Sequence, residues 1–354
     1  MPKAFQLCHC STMENYDLHA LARNRALDTV AGEALTLQSL IARNPAGNTP
    51  LHSAAKSGDL KSIPAELLTE YSLTIKNDSG YTPLHHAALG GNLDQVPAAL
   101  VNPEQLGIRS NSGYTVFHVA AAHGHLKQLP VGLVTNEVVL SRNDLGNNLL
   151  HEAAETGFLD QVPAEFITRE NLSTKNISGE TVLHVAALNG HFDQIKPDLL
   201  NTEALLETTN SGDTVFHAAA ISGNLGQIPD RFLNHNNLVI SSKAGFTAIH
   251  AAAETGQLDK IPVDQITMDL LVTRNDNGDT PLHAAAYEGH LDQIPLPLFT
   301  EELLSVRNYN GVTVGRIAVT QGFRDQLPEK LRPREPGIIR RFLIKSGISR
   351  LPFA

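Results

Sequence analysis

Glycine recurs every 33 residues along most of this 354-residue chain, and that spacing constrains the fold more than any other feature of the sequence. The first series is Gly47, Gly80, Gly113, Gly146, Gly179, Gly212, Gly245, Gly278 and Gly311. A second series follows eleven residues later, at Gly58, Gly91, Gly124, Gly157, Gly190, Gly223, Gly256, Gly289 and Gly322. No insertion or deletion interrupts the nine units. A constant period of this length predicts an array of repeats, each packed on its neighbours.

The segment between the two glycines predicts a short helix. It is clearest in Thr49-Pro50-Leu51-His52, and the same four residue types recur at 82–85 and 280–283. The first Gly suits a turn that needs positive φ, Thr is a favoured N-cap, and Pro is favoured in the first helical turn. Paired alanines such as Ala54-Ala55 allow neighbouring helices to approach closely. The second Gly is expected to end a helix of about two to three turns in the left-handed conformation.

The motif Gly-x-Thr-Pro-Leu-His-x-Ala-Ala-x-x-Gly with period 33 resembles the ankyrin repeat, and the resemblance covers residues 44–328. It implies an all-α, ankyrin-type helical repeat solenoid with a concave recognition face. It also implies that the chain binds another protein and is not an enzyme.

The second half of each unit departs from the usual ankyrin pattern. It reads Leu291-Asp292-Gln293-Ile294-Pro295 in one unit, and most units place a proline at the same point. Because proline cannot sit inside a helix, the second helix is predicted to begin at this proline and to be short. A further capped segment such as residues 300–304 predicts another helical turn. Each repeat should therefore hold three short helical pieces, with reduced or absent β-hairpin fingers.

The ends of the chain predict four regions. Residues 1–12 are expected to be a flexible tail, residues 13–43 a degenerate N-terminal capping repeat, and residues 44–328 the repeat array. Residues 329–354 carry seven Lys or Arg against two Glu. This basic segment is expected to cover the last repeat as a cap. Contact with an acidic partner or a membrane surface is the alternative.

Composition excludes several functional classes. The net charge of −10 argues against a nucleic-acid partner, because phosphate neutralisation needs clustered Lys and Arg. The two cysteines, Cys8 and Cys10, lie in the tail and indicate a reducing, intracellular compartment. No segment has the length and apolarity of a signal peptide or a spanning helix, so a cytoplasmic monomer is predicted. No cofactor is expected.

Half of the sixteen histidines occupy one position of the repeat. They are His52, His85, His118, His151, His184, His217, His250 and His283. Stacked helices lie about 8–10 Å apart, whereas zinc needs each nitrogen at about 2.0–2.1 Å, so neighbouring members cannot share a metal. The resemblance implies a structural hydrogen-bonding role for them. No residue is predicted to be catalytic or to bind a metal.

The positions that vary between repeats are the candidates for partner binding. They are the residue after the turn Gly and the non-consensus sites of the first helix. The hypothesis is an aromatic and acidic strip made of Tyr81, His86, Tyr114, His123, Asn147, Glu152, Glu180, Asp213 and Phe246. Such a strip would suit a partner with basic and apolar residues. Neutral variation of the surface is the alternative interpretation.

The sequence therefore predicts a protein–protein interaction scaffold that binds through the concave face of the solenoid. The alternative is a secreted bacterial effector of ankyrin type that engages a host protein in the host cytosol. In that case the basic and apolar C-terminal tail would serve export or membrane contact.

Overall fold

The computed structural model describes residues 17–332. The predicted tail at 1–12, the first residues of the predicted capping repeat, and most of the basic segment at 329–354 lie outside the described residues. We number the repeats 1 to 9 by the 33-residue period, with repeat 1 at residues 44–76 and repeat 9 beginning at residue 308.

Each repeat opens with a helix of seven or eight residues, which we call the long helix. The long helices are Pro50–Ser57, Pro83–Gly90, Val116–Ala122, Leu149–Thr156, Val182–Asn189, Val215–Ile221, Ala248–Glu254, Pro281–Glu288 and Val314–Gln321. Thr49 is the extended N-cap of the first, and Gly58 ends it with φ 84°. The predicted capping residues therefore set the limits of these helices.

Single 3-10 turns stand on both sides of the proline in most repeats. Those before it are Leu60–Ser62, Leu93–Gln95, Leu126–Gln128, Leu159–Gln161, Phe192–Gln194, Leu225–Gln227, Leu258–Lys260, Leu291–Gln293 and Arg324–Gln326. Those after it are Ala65–Leu67, Ala98–Leu100, Ala164–Phe166, Pro197–Leu199, Asp230–Phe232, Leu296–Leu298 and Glu329–Leu331. Proline keeps the preceding residue extended, as at Ile63 with ψ 133°, so no α-helix crosses this point.

A short α-helix completes each of repeats 1 to 8. These helices are Glu70–Thr74, Pro103–Leu106, Asn136–Leu140, Arg169–Leu172, Thr202–Leu205, His235–Leu238, Met268–Leu271 and Glu301–Ser305. As predicted, a helical segment begins at the proline, but it is only one turn long. Repeats 1, 2, 4, 5, 6 and 8 thus hold four helical pieces instead of the predicted three, because separate 3-10 turns form before and after the proline. Repeats 3 and 7 hold three.

The described part of the predicted capping segment follows the same plan. Its elements are the helix Leu18–Arg23, the 3-10 turns Leu27–Thr29 and Gly32–Ala34, and the short helix Leu37–Leu40.

The β-hairpin fingers are reduced, as predicted. Residues 17–332 contain no strand, and their bridges are isolated pairs, for example Lys175 with Thr181. In their place each repeat has a tight turn. In repeat 1 the Asn44 side chain accepts the backbone N–H groups of Ala46 and Asn48, both at 3.0 Å. The fold is therefore all-α.

The described residues form two compact units. The N-terminal unit holds the capping segment and repeats 1 to 3, with its last described residues at 138 and 142–144. The C-terminal unit holds repeats 4 to 9, from 139–141 and 145 onward. Within each unit every long helix packs on the next one. The paired alanines Ala54 and Ala55 are fully buried, as are Phe192 and Phe216, which are the largest of the fully buried side chains in the described residues.

Replacement of Gly80 by alanine should lower the free energy of unfolding by about 1–3 kcal/mol. Gly80 has φ +79°, and a Cβ there would lie 2.5 Å from the backbone nitrogen of Asn111 in the next repeat. The side chain would therefore be strained and would also push two repeats apart. Urea unfolding followed by circular dichroism measures the loss. Gly32→Ala is the control, because Gly32 has nothing within 4 Å of that position and should change stability little.

Candidate interaction face

The eight histidines at one position of the repeat, which we call the histidine ladder, cap their own helices, and seven of them also bond the following repeat. In repeat 1 the Nδ1 atom of His52 accepts the backbone N–H of Thr49 at 3.0 Å. Its Nε2 atom therefore carries the proton and donates to the carbonyl of Tyr81 at 3.0 Å. Histidine here takes the place of the acidic or amide side chain of a usual capping box. The same Nε2 bond to a carbonyl 29 residues later is made by His85, His151, His184, His217, His250 and His283.

Burial keeps six histidines of the ladder neutral. It lowers the pKa of His52 to about 3 and the pKa values of His85, His184 and His250 to about 4, more than the carbonyl bonds raise them. The pKa values of His217 and His283 are lowered for the same reason. A neutral ring is required here, because Nδ1 must accept a bond while Nε2 donates one. The ladder therefore forms hydrogen bonds in the core and faces no solvent.

Asn48 and Asn147, which follow turn glycines, accept hydrogen bonds from the next repeat. The sequence analysis did not predict this role. Asn147 and Glu152 are buried, and the Asn147 amide donates to Glu152 at 3.1 Å. Asn176 of the next repeat donates to both Asn147 and Glu180, at 3.0 and 2.8 Å. Asn77 donates in the same way to Asn48 at 2.8 Å. Buried and bonded, Asn147 and Glu152 do not belong to an exposed strip.

The aromatic members of the proposed strip lie half-buried against histidines. The ring of Tyr81 lies 5.2 Å from that of His85 and 6.5 Å from that of His86. Tyr114 lies 6.0 Å from His118, and Phe246 lies 5.3 Å from His250. The structure thus brings Tyr81 and His86 together.

Two other members of the proposed strip make contacts within the array. His123 is exposed at the end of its long helix and bonds the Val119 carbonyl of the same helix at 3.0 Å. Asp213 is half-buried, and its backbone carbonyl accepts from His184 at 3.1 Å.

The last turns of the long helices expose a different set of residues, which sequence reasoning missed. In the C-terminal unit Leu188 and Ile221 are 41% and 51% exposed. Further along the same unit stand Glu254 and Glu288, both exposed. We call these four residues the terminal-turn strip. Leu188, Ile221 and Glu254 occupy the same position of the 33-residue period. A comparison of this position between repeats would therefore have identified three of the four residues of the strip.

The two carboxyl groups of the terminal-turn strip influence each other. Partial burial raises the pKa of Glu254, and the nearby Glu288 carboxylate raises it further. A cationic side chain placed between them would relieve this repulsion. The strip thus combines an aliphatic part with a part that favours positive charge.

Comparison with known families agrees with the geometry. A family model described as ankyrin repeats in many copies matches residues 67–120, and a single ankyrin repeat model matches residues 277–296. The chain contains ankyrin repeats. No curated protein matches the chain. Ankyrin repeats are generally protein–protein interaction modules, and proteins built from them are typically non-enzymatic scaffolds.

These ankyrin repeats are also joined by a glutamine that sequence reasoning left without a role. Gln128 accepts the backbone N–H of Leu93 at 3.1 Å and donates to the Gly91 carbonyl at 2.7 Å, both in the preceding repeat. Gln194, Gln227, Gln293 and Gln326 make the same pair of bonds. This residue lies two positions before the proline, or three in repeat 5, so the departure from the usual ankyrin second helix carries an inter-repeat contact of its own.

Residues 17–332 bring no three His, Cys, Asp or Glu side chains into a group that would hold a metal ion. In the same range, no helix combines the length and the apolarity needed to cross a membrane.

Proposed function

We propose that this protein is a scaffold that binds another protein, and that the terminal-turn strip of the C-terminal unit is the contact surface. The observation that carries the proposal is the exposure of Leu188 and Ile221 on adjacent, packed helices. Neighbouring helices lie about 8–10 Å apart, so the two side chains offer one aliphatic surface. Exposed aliphatic side chains on a repeat array have no partner within the array, and burial by a second protein stabilises the complex.

The partner segment is expected to present apolar residues followed by a basic one. Leu188 and Ile221 would receive the apolar side chains, and the carboxylates of Glu254 and Glu288 would receive Lys or Arg. The raised pKa of Glu254 supports this order, because a cation between the two carboxylates removes their repulsion. The partner is thus a protein with basic and apolar residues at its contact surface.

The test is selection of peptides from a random display library on the full chain, followed by affinity measurements on the selected peptides. Peptides with aliphatic residues followed by Lys or Arg should be enriched. Leu188→Asp with Ile221→Asp should weaken their binding by roughly 30- to 100-fold, since about 2–3 kcal/mol of apolar burial is lost. Glu254→Lys with Glu288→Lys should reverse the preference for basic residues.

Val263→Asp with Leu296→Asp is the matched control. Both residues are 70% exposed, but they follow the prolines and lie outside the long helices. The control should bind as the wild type does. If Tyr81→Ala with Tyr114→Ala abolishes binding while the strip variant retains it, the contact surface is instead the aromatic one suggested by the sequence.

A further inference from the structure

A cavity of about 510 Å³, lined by polar residues, opens in the N-terminal unit. Three successive helices supply its basic side chains. Arg23 comes from the helix Leu18–Arg23, Lys56 from the long helix of repeat 1, and His86 from the long helix of repeat 2. No acidic residue lines it. We call it the donor-lined cavity.

The two permanent cations of the cavity lack counter-ions. Neither Arg23 nor Lys56 has a carboxylate within ion-pair distance in the described chain, although the chain as a whole has a net charge of −10. Neighbouring basic residues are neutralised, as Arg43 is by Asp78 at 3.9 Å and Lys61 is by Asp94 at 3.5 Å. Burial and the charge of Lys56 lower the pKa of His86 to about 4. The cavity is therefore a local region of positive potential in an acidic protein.

The neutral groups of the cavity offer donors, because their acceptors are already used. The Asn44 oxygen accepts two backbone N–H groups, at 3.0 Å each, and the Asn48 oxygen accepts the Asn77 amide at 2.8 Å. The amide nitrogens of Asn44 and Asn48 and the hydroxyl of Ser53 make no hydrogen bond within the described chain. An occupant must therefore supply acceptors and negative charge.

We propose that the donor-lined cavity binds a phosphate monoester carried by a protein partner. This group has a charge of about −1.5 to −2 at neutral pH and three acceptor oxygens. It would match two unpaired cations and several neutral donors, whereas a carboxylate carries one charge on two oxygens. The cavity is also much larger than a bare phosphate ion, which leaves room for the residue that carries the group. The proposal rests on the proposed function, since it gives the same protein partner a second anchoring point.

The corresponding positions of later repeats do not reproduce the cavity. The position of Lys56 is occupied by Leu89 in repeat 2 and by Ala122 in repeat 3, and the position of Ser53 becomes His86 and then Val119. The set of donors is thus particular to the first repeats and does not follow from the repeat pattern.

The test measures binding of a fluorescent pentapeptide, with phosphoserine at its centre and mixed residues around it, to the full chain. Binding should saturate, weaken with rising salt, and be displaced by excess unlabelled phosphopeptide. Arg23→Glu with Lys56→Glu should weaken it at least ten-fold. Lys196→Glu with Lys243→Glu makes the same change in net charge from two exposed lysines of the C-terminal unit and should weaken it less than two-fold. Both residues replaced in the cavity are exposed, so the circular dichroism and melting temperature of that variant should match the wild type.

Several results would overturn the proposal. They are absence of saturable binding, equal loss in the two charge variants, equal affinity for the peptide with aspartate in place of phosphoserine, and binding of vesicles with phosphorylated headgroups in preference to the peptide. Displacement of the peptide by inorganic phosphate at equal concentration would also count against a peptide-borne group. The Leu188→Asp, Ile221→Asp variant should bind the phosphopeptide normally. Failure of the terminal-turn strip and failure of the cavity are therefore distinguishable.

Discussion

Acidification from pH 7.5 to pH 5.5 should lower the free energy of unfolding of this protein by at least about 5 kcal/mol. The pKa of His52 is lowered to about 3 and those of His85, His184 and His250 to about 4, while each returns to about 6.5 on unfolding. Between these values the unfolded chain binds protons that the folded chain does not. The stabilisation is therefore complete above pH 6.5 and is lost as the pH falls toward 4.

The magnitude follows from the number of histidines. One pH unit below 6.5 costs about 1.4 kcal/mol for each neutral, buried histidine. The midpoint of urea unfolding, followed by circular dichroism at both pH values, measures the effect. His184→Asn removes one contribution and should reduce the loss of stability between the two pH values by about 1.4 kcal/mol. A midpoint that stays constant between pH 7.5 and pH 5.5 would show that the histidine ladder is not buried in neutral form.

Phe216→Ala should lower the free energy of unfolding by about 3–5 kcal/mol, while Ile221→Ala on the same helix should change it by less than about 0.5 kcal/mol. Phe216 is fully buried, so alanine leaves a cavity among neighbours that cannot close it. Ile221 is 51% exposed and loses little packing. Urea unfolding of both variants measures the difference.

The same pair of variants separates folding from binding. Ile221→Ala should weaken the binding of the selected peptides roughly ten-fold, because Ile221 belongs to the terminal-turn strip. Its free energy of unfolding should change by less than about 0.5 kcal/mol. Phe216→Ala, studied without urea at a temperature where it stays folded, should bind the selected peptides nearly as well as the wild type does. Similar losses of stability in the two variants would mean that Phe216 does not fill the core as described.

The helix limits were predictable because their causes are local. Thr49 caps its helix through groups three residues away, and Gly58 ends it through its own backbone freedom. The prolines likewise act on the residue before them, which is why the break in the second half of each repeat could be foreseen. The extra 3-10 turn was missed, since a three-residue turn with one hydrogen bond has little sequence signature of its own.

The candidate contact residues were harder to predict, because the exposure of a side chain depends on the residues that pack against it from the neighbouring repeat, one period away in the sequence. Glu152 looks like a surface acid in the sequence, yet it is buried and bonded to Asn147. Leu188 looks like a core residue, yet it is 41% exposed. Residue type alone does not distinguish these cases.

The sequence by itself determined the period of 33, the caps and breaks of the helices, and the position of the histidine ladder, because each depends on interactions within a few residues. Only the tertiary structure decided which polar groups are used between repeats and which are left free. His52 finds its second partner at Tyr81, and Asn48 meets the amide of Asn77. Arg23, Lys56 and His86 come together in one cavity only when three helices stack. The physical reason is that burial and hydrogen-bond satisfaction are properties of packed neighbours, which a single repeat does not contain.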